Sequence, residues 1–251
     1  MRRDNWWVSP LITFVVFATF IVYATWAAFQ NAHYTFGNYL SPFYSPELWG
    51  SSPHAIFGPK PSWIPEWLPF SPALLILWAP GGFRFTCYYY RGAYYKAFWA
   101  DPPGCAVSEP RKSYLGERSF PLIIQNVHRY FLYLALLFLP ILAYDAYMGL
   151  WVFNEQTGKE ELGLAIGSLF LIANVTGLSL YTFSCHSLRH LIGGKKDELS
   201  KNKLQKSCYD CVSNLNRRHM NWAWLSLFGV MLTDLYIRLC SMGVIVDYRI
   251  F

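Results

Sequence analysis

Charged residues are scarce in this chain. They make up 14% of its 251 residues, where a soluble domain carries about 25%, and that deficit excludes an ordinary soluble enzyme. A cleavable leader is also not expected: the first apolar run follows Met1-Arg2-Arg3-Asp4, is too long for a signal segment and lacks a small-residue cleavage site. Cysteines number six at irregular spacing, which excludes a secreted disulfide scaffold. The net charge of +6 does not argue for nucleic acid, because the cations gather on one side of a membrane. What the chain has instead is apolar and aromatic surface: 54% hydrophobic and 19% Phe, Trp and Tyr. The predicted class is an all-α integral membrane bundle.

The apolar runs divide a single transmembrane domain, residues 1–251, into five spans at about 6–30, 71–90, 121–153, 162–190 and 219–244. Each is long enough for a ~30 Å hydrocarbon layer. Residues 31–70, rich in Pro, Ser, Trp and Tyr, read as an outer loop lying on the membrane surface. Pro80-Gly81-Gly82 interrupts the second span, and Arg84 follows inside it; irregular backbone at that depth borders a protein or water-lined cavity. The third span is overlong and is expected to tilt. Asp234 and Arg238, four apart in the fifth, read as a structural pair. With the N-terminus in the cytoplasm, only Lys60, Lys159, Arg238 and Arg249 of the 21 Lys and Arg residues lie on the outer half, leaving 17 inside. That asymmetry sets the orientation.

On this topology the metal-ligating residue types gather at one depth. Cys87 ends span two and Cys105 follows it. His128 opens span three; Cys185, His186 and His190 end span four; Cys208 and Cys211 sit in the next loop; His219 opens span five. Four spans contributing to one layer is what a cofactor site in a bundle core requires. His186 and His190, four apart, share a helical face. The expected ligand set is therefore Cys87, Cys105, Cys185, His186, His190 and His219. Two Cys with two His suit zinc or a Rieske-type [2Fe–2S] cluster; paired imidazoles, for example His128 with His186, suit haem b. Arg84, Tyr88, Tyr89, His128 and Arg129 offer the donors and aromatic surface a quinone needs. The spacing of His186 and His190 also matches a desaturase histidine box, but those sites need more histidines than the six present.

The blocks Gly82–Arg91, Ala93–Pro110, Gln125–Phe131, Ser184–His190 and Leu215–Met220 resemble the cytochrome b-like membrane anchor of actinobacterial succinate dehydrogenases. The resemblance implies a subunit of respiratory complex II in the cytoplasmic membrane, serving electron transport and the tricarboxylic acid cycle. Its partners would be a flavoprotein, an iron–sulfur subunit and in some cases a small additional membrane subunit. It implies a Rieske-like [2Fe–2S] cluster and a quinone substrate, with succinate chemistry on the partner subunits. The alternatives are a haem b anchor of a quinol:fumarate reductase and a non-redox scaffold held by zinc. The orientation has a direct check. A cysteine introduced between residues 196 and 206 should resist an impermeant thiol reagent in intact cells and react after lysis; labelling of intact cells would reverse the topology.

Overall fold

In the computed structural model, residues 5–65, 67, 70–98, 120, 122–154, 158–194 and 196–251 are described. Helix α1 (Val8–Gln30) carries no charge along 23 residues. With α5 (His128–Met148), entered through a 3₁₀ segment at Leu122–Val127, α6 (Ile166–Phe183) and α9 (His219–Ser241), it makes four helices long and apolar enough to cross a membrane. α6 and α9 pack along their length, with Gly177 facing the Ser226 backbone.

The second span is broken into α2 (Pro72–Ile76), α3 (Trp78–Phe85) and α4 (Tyr88–Phe98). It starts beside the far end of α1, where the Ser71 hydroxyl donates to the Ala28 carbonyl at 2.5 Å. It reaches the near end of α9, where Cys87 meets His219. The expected interruption at Pro80-Gly81-Gly82 falls one turn earlier. Pro80 has no N–H for the Ile76 carbonyl, so α2 ends there and α3 restarts with Pro80 in its first turn. The glycines lie inside α3. Gly82 is required by close packing, since a Cβ there would sit 2.2 Å from the Phe131 ring.

Three other boundaries differ from expectation. Span three ends at Met148, and Trp151-Val152-Phe153, which continues its apolar pattern, forms strand β3 (Trp151–Asn154), paired with β4 (Lys159–Leu162). Span four stops at Phe183; α7 (His186–Gly193) is a separate helix after a break at Ser184-Cys185. Part of the basic loop forms α8 (Lys203–Asn216), capped by the Asn202 side chain.

The outer segment does not simply lie on the surface. After a short hairpin of β1 (Thr35–Phe36) and β2 (Tyr39–Leu40), residues 39–47 are buried without interruption. The reason is that its tyrosines find acceptors inside: Tyr39 donates to Asp247 at 2.6 Å, Tyr34 to Glu47 at 2.9 Å and Tyr44 to the Ala27 carbonyl at 2.8 Å. At the centre of this outer layer the Asp234–Arg238 pair, 2.7 Å apart, has side chains 0% and 3% exposed. Tyr23 and Ser41 both donate to Asp234. Arg238 donates to the Ala32 and Ala27 carbonyls. The pair therefore ties α1, the outer segment and α9 together, the structural role expected of it.

Asp234→Ala leaves a buried guanidinium without its counter-ion and should cost about 3–5 kcal/mol. Replacing both partners, Asp234→Leu with Arg238→Met, should cost less than the single change. Thermal unfolding of the detergent-solubilised protein checks the order; equal losses would deny the pair its role.

Candidate redox centre

Two helix breaks build the site. At the first, Thr86 and Cys87 separate α3 from α4; at the second, Ser184 and Cys185 separate α6 from α7. Each break puts a hydroxyl and then a thiol at the end of a span. Each hydroxyl bonds back into its own helix: Thr86 Oγ1 donates to the Gly82 carbonyl at 2.7 Å and Ser184 Oγ to the Tyr181 carbonyl at 3.0 Å. Each cysteine then stands directly before a new helix. The Cys87 sulfur lies against the amides of Tyr89 and Tyr90, and the Cys185 sulfur against those of Ser187 and Leu188, without closing a cap hydrogen bond at Cys185. Burial disfavours a thiolate, and amides aligned at a helix start offset part of that cost.

The two histidines enter from the other pair of spans and cross over. His128, first residue of α5, places Nδ1 2.8 Å from Thr86 Oγ1 and Nε2 3.1 Å from the sulfur of Cys185. His219, first residue of α9, places Nδ1 2.6 Å from Ser184 Oγ and Nε2 3.3 Å from the sulfur of Cys87. A hydroxyl has one proton, and both hydroxyls spend theirs on helix carbonyls. A hydroxyl that does so accepts from Nδ1–H, the tautomer that turns the lone pair of Nε2 toward the cysteine. That is the tautomer of a metal ligand whose second nitrogen is fixed by an outer hydrogen bond. An amide three residues before each histidine completes the frame: Gln125 donates to the Phe85 carbonyl at 3.0 Å and Asn216 to the Ser184 carbonyl at 2.7 Å.

Four residues before each cysteine an aromatic ring stacks on one histidine. Phe83 lies on His128 with centroids 4.7 Å apart, and Tyr181 on His219 at 5.2 Å. The whole unit recurs as Phe83-Arg-Phe-Thr-Cys-Tyr88 and Tyr181-Thr-Phe-Ser-Cys-His186. This repeat is the signal that picks out Thr86, Ser184, Phe83 and Tyr181 from sequence; counting Cys and His alone passes over it.

The expected ligands thus separate into groups. Cys87, Cys185 and His219 come together, joined by His128, which stands outside the set expected from sequence. His186 and His190 share a face of α7 as expected, with their Nε2 atoms 3.0 Å apart, but they point away from Cys185 into a polar cavity of about 590 Å³ with Tyr88, Asn126 and Arg129. Partial burial, His190 and Arg189 hold the His186 imidazole below its ordinary value. Cys105 lies outside the described residues. Cys208 and Cys211 are exposed on α8, apart from the site. Among the residues expected at a quinone, Tyr88, His128 and Arg129 line that polar cavity, Tyr89 bonds to Trp224, and Arg84 borders separate apolar cavities.

Two thiols and two neutral imidazoles, buried and held from behind, match by number and type the donors of a mixed Cys/His cluster. Among the described residues no three His, Cys, Asp or Glu side chains close around a single point. The four are arranged as two crossed Cys–His pairs, Cys87 with His219 and Cys185 with His128.

A membrane bundle with a buried Cys/His cluster at one end is the class these observations define. The description "actinobacterial succinate dehydrogenase subunit SdhC" matches residues 8–243, and the chain belongs to that family. A solved structure, the Mycobacterium smegmatis Sdh1 complex in the apo form, contains a chain 41% identical to this one; the match covers 100% of this chain and 94% of that chain, with a TM-score of 0.87. No curated protein matches. The chain is accordingly a subunit of a succinate dehydrogenase, an oxidoreductase whose succinate chemistry lies on partner subunits, and a multi-pass protein of the inner (cytoplasmic) membrane.

Thr86→Val with Ser184→Ala removes both acceptors behind the imidazoles. Loss of such outer partners typically weakens a metal site about 10–100-fold. Retention of metal by the purified complex during chelator challenge should fall accordingly; unchanged retention would mean that the hydroxyls do not position ligands.

Proposed function

We propose that this chain is the membrane anchor through which a succinate:quinone oxidoreductase delivers electrons to quinone, and that its centre is a Rieske-type [2Fe–2S] cluster held by Cys87, Cys185, His128 and His219. The crossed arrangement of hydroxyl, imidazole and thiol carries the reading. In it four ligand-type side chains from four segments lie together, His128 Nε2 against the sulfur of Cys185 and His219 Nε2 against that of Cys87. When bound, such a cluster carries single electrons at about −150 to +300 mV, against about −400 mV for all-cysteine plant-type clusters. The higher range suits a quinone acceptor.

The chain's own residues have separable tasks in this reading. Thr86 and Ser184 fix the imidazoles. Phe83 and Tyr181 cover the membrane side of the rings and exclude water. Tyr88 and His186, each directly after a cysteine, face the cytoplasm, where the iron–sulfur subunit, itself carrying the flavoprotein, would dock on the basic surface. The small extra membrane subunit that the resemblance allows has no site assigned to it.

The haem alternative fits less well. A porphyrin between His128 and His186 needs a flat slot, and the Tyr88 ring stands there, with centroids 6.1 Å from His128 and 6.4 Å from His186.

Iron and acid-labile sulfide in the purified complex, with low-temperature EPR after reduction, test the assignment. His128→Ala and His219→Ala should each abolish the mixed-ligand cluster signal, and His186→Ala should retain it. Loss in His186→Ala with retention in His128→Ala would restore the sequence-derived ligand set. Bound haem b without a cluster would overturn both.

A further inference from the structure

His186 and His190 take no part in the crossed Cys/His pairs. Both stand on the exposed face of α7, one turn apart, while Ser187 and Leu188 between them are buried. Their rings cross at 79° with centroids 4.5 Å apart, and Nε2 faces Nε2 at 3.0 Å. Two neutral imidazole nitrogens at that distance share a single proton, which one ring donates and the other accepts. An exposed pair of this kind on a helix contributes only about 0.2–0.5 kcal/mol, so it does little for the stability of α7.

The spacing fits a metal ion in place of that proton. Zinc, for example, binds imidazole nitrogen at about 2.0–2.1 Å. Two bonds of that length from one ion put their nitrogens roughly 2.9 Å apart in a square plane and roughly 3.3 Å apart in a tetrahedron. The observed 3.0 Å lies between the two, so chelation needs only small ring shifts. His128 borders the same cavity but is engaged at both nitrogens, with Nδ1 2.8 Å from Thr86 Oγ1 and Nε2 3.1 Å from the sulfur of Cys185. The two α7 imidazoles therefore act without it.

The surroundings select the class of ion. The pair opens into the polar cavity of about 590 Å³ that also holds Tyr88, Asn126, Arg129 and Ser187. That space admits the waters needed to complete a two-histidine coordination sphere, at about 30 Å³ each. Among the described residues lining it there is no Asp or Glu, and Arg129 is present. Such a wall disfavours Ca²⁺ and Mg²⁺, which are bound chiefly through carboxylate oxygens. Arg189, the other cation beside the pair, is turned to α8, where it donates to the Tyr209 hydroxyl at 3.1 Å and lies over that ring at 5.0 Å. Imidazole donors suit Cu²⁺, Ni²⁺ and Zn²⁺, with Cu²⁺ bound most tightly.

We infer that His186 and His190 form a second metal site, open to the polar cavity and separate from the buried centre, for a divalent transition-metal ion. The inference takes from the proposed function only that neither histidine binds the cluster. Chelation needs a lone pair on both Nε2 atoms, so the donating ring moves its proton from Nε2 to Nδ1; no electron is transferred.

The test uses the intact purified complex, with the exposed thiols of Cys208 and Cys211 blocked beforehand by a maleimide. Copper(II) chloride added at one ion per chain should give, at liquid-nitrogen temperature, a tetragonal EPR signal coupled to two imidazole nitrogens. His186→Ala and His190→Ala should each lose that signal and, in equilibrium dialysis, bind one Cu²⁺ per chain fewer than the wild type. Zinc chloride in excess should displace the copper and magnesium chloride should not. Iron, acid-labile sulfide and dye-linked succinate oxidation should be retained in both variants, which shows that they assemble. Equal copper binding and equal nitrogen couplings in the wild type and both variants overturn the site and leave the reading of the buried centre standing; displacement by magnesium overturns the class of ion. Loss of iron and sulfide from His186→Ala overturns the site and that reading together, because the histidine would then be a cluster ligand.

Discussion

The structure depends on a constraint that buried hydroxyls impose on imidazoles. Thr86 and Ser184 each have a single proton, and each gives it to a helix carbonyl. Their remaining lone pairs can accept from Nδ1–H of His128 and His219, the arrangement that leaves a free nitrogen in front. The local fold serves this: both spans break immediately after the hydroxyl, both cysteines start a new helix, and both histidines are the first residues of their own. Breaking a membrane helix costs backbone hydrogen bonds that lipid cannot replace. Here freed carbonyls are met by Ser184, Gln125 and Asn216, so the irregular backbone sits inside protein.

Approximate two-fold repetition explains why four spans are needed. One half holds the histidine of α5 with Phe83 and Thr86 and turns Cys87 to the histidine of α9; the other holds the histidine of α9 with Tyr181 and Ser184 and turns Cys185 to the histidine of α5. The halves exchange histidines, so removing any one span leaves each half incomplete. The repetition is imperfect where function would break it. Arg84 in one half stands where the other has Thr182, and Phe83 stands where the other has Tyr181. The apolar cavity opens at those substituted positions, and the residues after the cysteines, Tyr88 and His186, border the polar cavity. The Cys/His layer thus lies between a polar cavity and an apolar one.

Much of this is legible in sequence. The apolar helices, their order and the gathering of Cys and His in one layer follow from hydropathy, because the bilayer punishes charge strongly enough for composition to reveal it. The detailed ligand set is not legible. The four-residue spacing of His186 and His190 does place them on one face; it cannot say where that face points, and the break at Ser184-Cys185 turns it toward the polar cavity. His128 stands alone in sequence, and its partners Thr86 and Cys185 lie on other spans, so spacing gives no hint of its role. Trp151-Val152-Phe153 reads as helix because strand and helix share an apolar run of that length. The buried course of residues 39–47 is hidden by their polarity, since only the structure pairs those hydroxyls with acceptors.

The central claim is that two imidazoles, one from α5 and one from α9, bind a single paramagnetic centre through Nε2. Pulsed EPR of the reduced complex, prepared with ¹⁵N-labelled histidine, measures it directly. The account predicts two coupled histidine nitrogens on one iron–sulfur signal, with one coupling removed when either His128 or His219 is replaced by cysteine in a variant that keeps a cluster. A single coupled nitrogen, couplings that survive both replacements and vanish with His186→Ala, or the nitrogen pattern of a porphyrin would contradict it.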